Sequence, residues 1–225
     1  MLHAKKNMFI FIPNMKATNN ISFKSRINIL SPYHYAKSPA SQNIIHFFQD
    51  AKHKNVVMES DFCTKHIRTC IGGGLMSKNK SSAIGFHIWD ELKYKDLQTY
   101  IKYIKKLMPK ADNGLLIGSK SLIDSEHSIP YFNKIQEQLL EVCPNISYFK
   151  TFTQPYGQAD FTYLRDIDTW NIRLSSLKPY STEMTHIYKL KDFLKFFKEI
   201  SIAPTDTLFI NGKQITKTQV PEIFR

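Results

Sequence analysis

The chain predicts an α+β fold. Segments with strand character and segments with helical period follow one another as strand, helix, strand, helix, strand, strand. A further helix and a hairpin come after them, and no internal repeat is present. At 225 residues the chain is long enough for one substantial core and a small appendage. Its 42% hydrophobic and 22% charged content is that of a globular protein rather than a disordered one.

Taken in order, residues 1–54 read as an N-terminal extension, rich in Asn, Ser and Lys and carrying Pro13, Pro32 and Pro39. One short helix is expected within it, from Ser41 as N-cap through Ile44, Ile45, Phe47 and Phe48. Residues 55–175 form the expected core domain. It opens with a strand at 56–58, followed by a cysteine segment, the run Gly72-Gly73-Gly74, and a polar turn at 77–82. The segment 83–89 then reads as a strand that pairs back, hairpin-like, and returns His87 toward Cys70.

From Asp90 to Met108, Leu92, Leu97, Tyr100, Ile101, Ile104 and Leu107 fall at helical spacing, and Pro109 stops the helix. A short buried strand is expected at 114–118 and a second helix at about 129–142, with Pro130 in its first turn. Strands follow at 146–153 and 160–165, on either side of a Gln154-Pro155-Tyr156-Gly157 turn. Residues 176–225 form a C-terminal appendage. After a break at 174–182 it holds a third helix at roughly 184–200, then a hairpin whose Asn211-Gly212 pair suits a type I′ turn.

The net charge of +12 and a pI near 9.5 imply attraction to something anionic, whether an acidic protein, an anionic membrane surface or nucleic acid. The lysines are spread rather than blocked, which argues against nucleic acid and suits a solvated basic surface equally well. Three cysteines, Cys63, Cys70 and Cys143, are too few for a disulfide framework and point to a reducing compartment. The apolar run at 8–13 is cut short by Pro13, with no small-residue cleavage site after it. No stretch reaches the roughly 18 apolar residues of a membrane span. The reading is a cytoplasmic protein, or one delivered into a host cell if it is an effector. The apolar side of residues 189–200 suits either a membrane or partner surface or packing on the protein's own core.

Thr64, Cys70 and His87 form a T-x5-C-x16-H array with three glycines behind the cysteine. These are the side chains of a cysteine hydrolase. Cys70 is the nucleophile, reactive only as thiolate and so in need of a base. His87 is that base, and Thr64 holds the imidazole in the useful tautomer. The main chain at Ile71, Gly72 and Gly73 is the candidate source of oxyanion-stabilising N–H groups. Each residue also has a structural reading: Cys70 as core, His87 as a satisfied strand histidine, the glycines as a flexible loop. Cys63, His66, Cys70 and His87 together give C-x2-H-x3-C-x16-H, a zinc-like donor set whose spacing matches no common finger. No metal or cofactor is therefore expected.

The segment resembles the chemoreceptor glutamine deamidases, the CheD family. There a threonine stands six residues before the nucleophilic cysteine and the base histidine seventeen after it, as Thr64, Cys70 and His87 do here. The resemblance covers about residues 55–172. AIGFHIWD and the helix after it, GLLIGSKSL, ISYFKTFT and YGQADFTYLRDID occupy the places of the family's later elements in order. Two features depart from the pattern: the family's Gly-Ser-Cys is Thr69-Cys70 here, and its glycine-rich turn is reduced to Pro155-Tyr156-Gly157 without arginine. The resemblance implies a mixed β-sandwich surrounded by helices. It also implies metal-free deamidation of a protein glutamine through a Cys70 thioester, or transglutamination if an amine replaces water. Related amidohydrolases of N-terminal asparagine and glutamine-deamidating toxins and effectors are similar in outline. The competing readings are a cysteine hydrolase of another small amide and a non-catalytic basic binding protein.

Overall fold

The structure is a computed structural model describing residues 25–37, 45–47, 56–57, 61–77, 81–89, 94–120, 125–154, 156–177 and 183–224. In chain order the elements are β1 (Ser25–Ile29), α1 (Pro32–Ala36), β2 (Ile45–Phe47), β3 (Val56–Val57), β4 (Asp61–Ile67), β5 (Ile71–Met76) and β6 (Ala83–Ile88). Then come α2 (Tyr94–Leu107), β7 (Asn113–Lys120), α3 (Ser125–Leu140), β8 (Ile146–Phe152), β9 (Gly157–Leu164) and β10 (Thr169–Leu177). After them come β11 (Met184–Ile187), α4 (Leu190–Phe196), β12 (Phe197–Ser201), β13 (Asp206–Ile210), β14 (Lys213–Ile215) and a short 3-10 helix (Pro221–Ile223).

The strands form two mixed sheets. An eight-stranded sheet runs β14-β13-β1-β10-β9-β4-β2, with β11 added to β10, and a six-stranded sheet runs β12-β8-β7-β5-β6-β3. The fold is α+β, a sandwich with helices, as expected. Strand alternation sorts the side chains into two cores. Phe62, Phe161, Tyr163 and Trp170 of the larger sheet meet Leu115, Ile117 and Phe149 of the smaller one between the sheets. On the other side of the smaller sheet, Phe86, Ile88 and Leu116 pack against Leu97, Ile101 and Ile104 of α2 and Phe132, Ile135 and Leu139 of α3. The smaller sheet is thus covered on both faces, and every residue of β5 and β6 is buried. Helix α1 lies against β10 of the larger sheet.

Several expectations hold. β5 and β6 are an antiparallel pair, closed by the Ser77 N–H bonding the Ser82 carbonyl at 3.0 Å. α2 stops before Pro109, while its expected start at 90–93 lies outside the described residues. Asn211 and Gly212, with φ of 48° and 78°, make the predicted turn between β13 and β14.

Others are corrected. Residues 25–29, placed in an extension, are a strand in parallel pairing with both β10 and β13. Ile45–Phe47, read as helix, pairs in parallel with β4; Ser41, Ile44 and Phe48 lie outside the described residues. Leu174–Leu177, read as a break, continues β10 and pairs with β11. The helix expected at 184–200 is only Leu190–Phe196. Strands flank it because β10 and β8 each offer an open edge there, and β11 and β12 fill those edges. Its aromatic stripe is spent inside the molecule: Phe193 meets Phe149 edge-on and Phe197 meets it at a tilt, with ring centroids 5.6 and 5.5 Å away. α3 begins at Ser125, so Pro130 sits inside the helix rather than in its first turn. Among the described residues, no helix is long and apolar enough to cross a membrane.

Candidate active site

The site is built where the chain crosses from one sheet to the other. β4 carries Thr64 on the face that bears Phe62, toward the smaller sheet. A bulge between Thr64 and Ile67 then shifts the strand, with His66 at φ 60°. The His66 N–H donates to Asp160 Oδ1 at 2.7 Å, which fixes the bulge to β9. Ile67 turns inward, residues 68–70 cross the sandwich, and Cys70 stands directly before β5.

The three glycines answer to packing, not to a flexible loop. A Cβ on Gly72 would fall inside the Ile67 side chain, and one on Gly73 would fall between Phe86 and Leu116. On Gly74 it would lie 2.7 Å from both Phe62 and Trp170. β5 is flanked by β6 and β7, so the amides of Gly72 and Gly73 point along the ladders. This corrects the expectation that they serve an oxyanion, and Ile71, in register with both Ile88 and Gly118, is tied into the same ladders.

His87 is paired in register with Gly72, and so lies on the inter-sheet side. There Thr64 Oγ1 is 2.7 Å from His87 Nδ1, a bond joining the two sheets between residues 23 apart. The other ring nitrogen, Nε2, is buried and has no hydrogen-bond partner among the described residues. Burial first, and then the charge on His66, push the imidazole down to about 4, so it is neutral near pH 7. Cys70 stands two positions before Gly72, the partner of His87. Position 70 closes the bend that leads into β5, one residue before the pairing with β6 begins at Ile71 and Ile88. Cys70 and His87 are each 2% exposed, and Thr64 is fully buried.

Two supporting residues were not singled out from the sequence. Gly118 has φ of +127°, and a Cβ there would strike the Cys70 carbonyl oxygen. A glycine inside a predicted strand was the available signal. Tyr100 of α2 hydrogen-bonds the His87 main chain from the helical side; sequence period marked it only as a core position. The zinc-like set does not converge: among the described residues no group of three or more His, Cys, Asp or Glu side chains is placed to hold a metal ion. Cys63 alternates to the opposite face of β4 from Thr64. None of Cys63, Cys70 and Cys143 is in a disulfide.

Compared with models of known protein families and with curated proteins, the chain matches none.

Proposed function

We propose that the protein is a cysteine-dependent amidohydrolase that deamidates a glutamine side chain of another protein. The observation that carries this reading is the Thr64–His87 bond at 2.7 Å, combined with a buried His87 Nε2 that has no partner among the described residues. With Nδ1–H donating to the Thr64 oxygen, the lone pair lies on Nε2, the nitrogen a thiol needs. A neutral imidazole suits a general base that takes the Cys70 proton during attack, rather than a resting ion pair.

The Cys70 sulfur then attacks the carboxamide carbon, with main-chain N–H groups of the bend that leads into β5 stabilising the oxyanion. His87 gives the proton to the departing nitrogen, which leaves as ammonia, and a thioester remains. Water, deprotonated by His87, attacks the thioester carbon; the C–S bond breaks, a carboxylate leaves and the thiol is restored. An amine in place of water would give transglutamination. Because Cys70 is 2% exposed, the bend at residues 68–70 must shift to admit the substrate. The net charge of +12 favours an acidic target or an anionic surface near it.

Ammonia release and a one-dalton mass increase on glutamine peptides and acidic proteins test the proposal. Cys70→Ala and His87→Ala are each expected to lower the rate by at least about a hundredfold. Full activity in both variants contradicts it.

A further inference from the structure

On the opposite face of β4 from Thr64, between α1 and the outer side of the larger sheet, lies a cavity of about 250 Å³. Two polar atoms on its lining residues are buried without a hydrogen-bond partner among the described residues: Thr162 Oγ1 on β9 and Arg173 Nε on β10. Thr162 is 3% exposed, so its hydroxyl is left without solvent as well as without a protein partner. A buried polar group left without a partner is destabilising, and two in one cavity mark a place where something else completes the bonding.

The charges are also out of balance. Arg173 pairs through an η nitrogen with Asp160, whose other oxygen is taken by the His66 N–H. Lys65, the other cation lining the cavity, has no second carboxylate among the lining residues. Burial pushes the Cys63 thiol up to about 11, so it stays neutral and does not cancel that charge. Among the described residues, the wall therefore carries two cations against one anion. The remaining surface is Pro32, Ala36 and the Tyr35 ring from α1, with the Arg173 guanidinium carbon 5.7 Å from the ring centroid, and the Cys63 thiol, 4.0 Å from the Tyr35 hydroxyl.

We infer that this cavity is a binding site for a small organic monocarboxylate. Its carboxylate accepts from Arg173 Nε–H, the Thr162 hydroxyl and Lys65, while its short apolar body lies against Tyr35 and Cys63. At about 30 Å³ per water, the cavity has room for about eight waters, which limits the ligand to a small metabolite rather than a peptide or nucleotide. The site is separate from the proposed catalytic residues, and a ligand held there would fasten α1 to β4, β9 and β10.

Butyrate, benzoate and the neutral isostere butyramide, titrated calorimetrically into the full chain, provide the test. One or both acids are expected to bind saturably in the millimolar range or tighter, and butyramide at least about tenfold more weakly. Thr162→Val keeps the side-chain shape, and Arg173→Lys keeps the charge beside Asp160 while removing Nε. Each is expected to weaken binding about tenfold, whereas Cys70→Ala leaves it unchanged. Should one variant fail to fold, the other decides. No saturable binding of either acid, equal binding of the amide, or wild-type affinity in the folded variants overturns the inference.

Discussion

His87 gives the residue scale its clearest physical signature. Burial and the neighbouring His66 hold its imidazole at about 4, against an ordinary value of 6.5. Between those values the unfolded chain takes up a proton that the folded one refuses. Stability on this account falls as pH drops from about 6.5 to about 4 and is constant above and below. The interval of about 2.5 units corresponds to about 3 kcal/mol. Asp206 works in the opposite direction. Burial raises its carboxyl to about 7, over the opposing hydrogen bonds from Ser147 and Asn113, so its contribution is lost as pH rises from about 3.8 to 7. A variant comparison therefore isolates the histidine. Denaturant melts of His87→Gln and wild type at pH 7 and pH 4 should show the variant gaining about 3 kcal/mol relative to wild type at the lower pH. Parallel stabilities at the two pH values would show that His87 is not the buried, neutral base described.

At the scale of elements, β5 shows why a glycine run is a strand here. With both faces covered, it has no polar alternation to reveal it, and its side chains are absent so that Phe62, Phe161 and Phe86 can fill the space. Sequence period found β6 and α2 because one has a continuous apolar run and the other a single apolar stripe. It missed β1 and β2, whose pairing partners lie well along the chain and leave no local trace, and it missed β10, although that strand pairs with its chain neighbours β9 and β11. It also fused β11, α4 and β12 into one helix, because a Phe- and Leu-rich segment suits either state until an open sheet edge decides. The spacing of Thr64, Cys70 and His87 was legible because it lies within one hairpin and its preceding strand. The supports from Gly118 and Asp160 were not, since they come from strands 48 and 90 residues beyond Cys70. Gly118→Ala should cost about 3 kcal/mol, combining a left-handed backbone with a clash against the Cys70 carbonyl. Gly212→Ala, with open space around it, should cost about 1 kcal/mol. Equal denaturation midpoints for the two variants would contradict the close approach at Gly118.

For the molecule as a whole, the expected boundaries at 54 and 175 cut through both sheets. β1 separates β10 from β13, and β12 closes the edge of β8. Asp206, 5% exposed, is held by Asn113 Nδ2 at 2.5 Å and by the Ser147 hydroxyl, so strands from both sheets meet at one buried polar cluster. A fragment of residues 55–175 would leave those partners unsatisfied and the aromatic cluster around Phe149 open. It should show no cooperative thermal transition, whereas the full chain melts in one; a fragment melting cooperatively near the full chain's temperature would restore the separate-domain reading.

The thiols themselves test the activation of Cys70 by His87. Burial pushes Cys63 up to about 11 and Cys143 up to about 12, so both should alkylate slowly near neutral pH. Iodoacetamide labelling of the native protein, followed by peptide mapping, reads all three cysteines in one experiment. Cys70 is expected to react at least about tenfold faster than the other two, and to lose that advantage in His87→Ala. A Cys70 rate no greater than that of Cys143, or one indifferent to the loss of His87, would contradict the account.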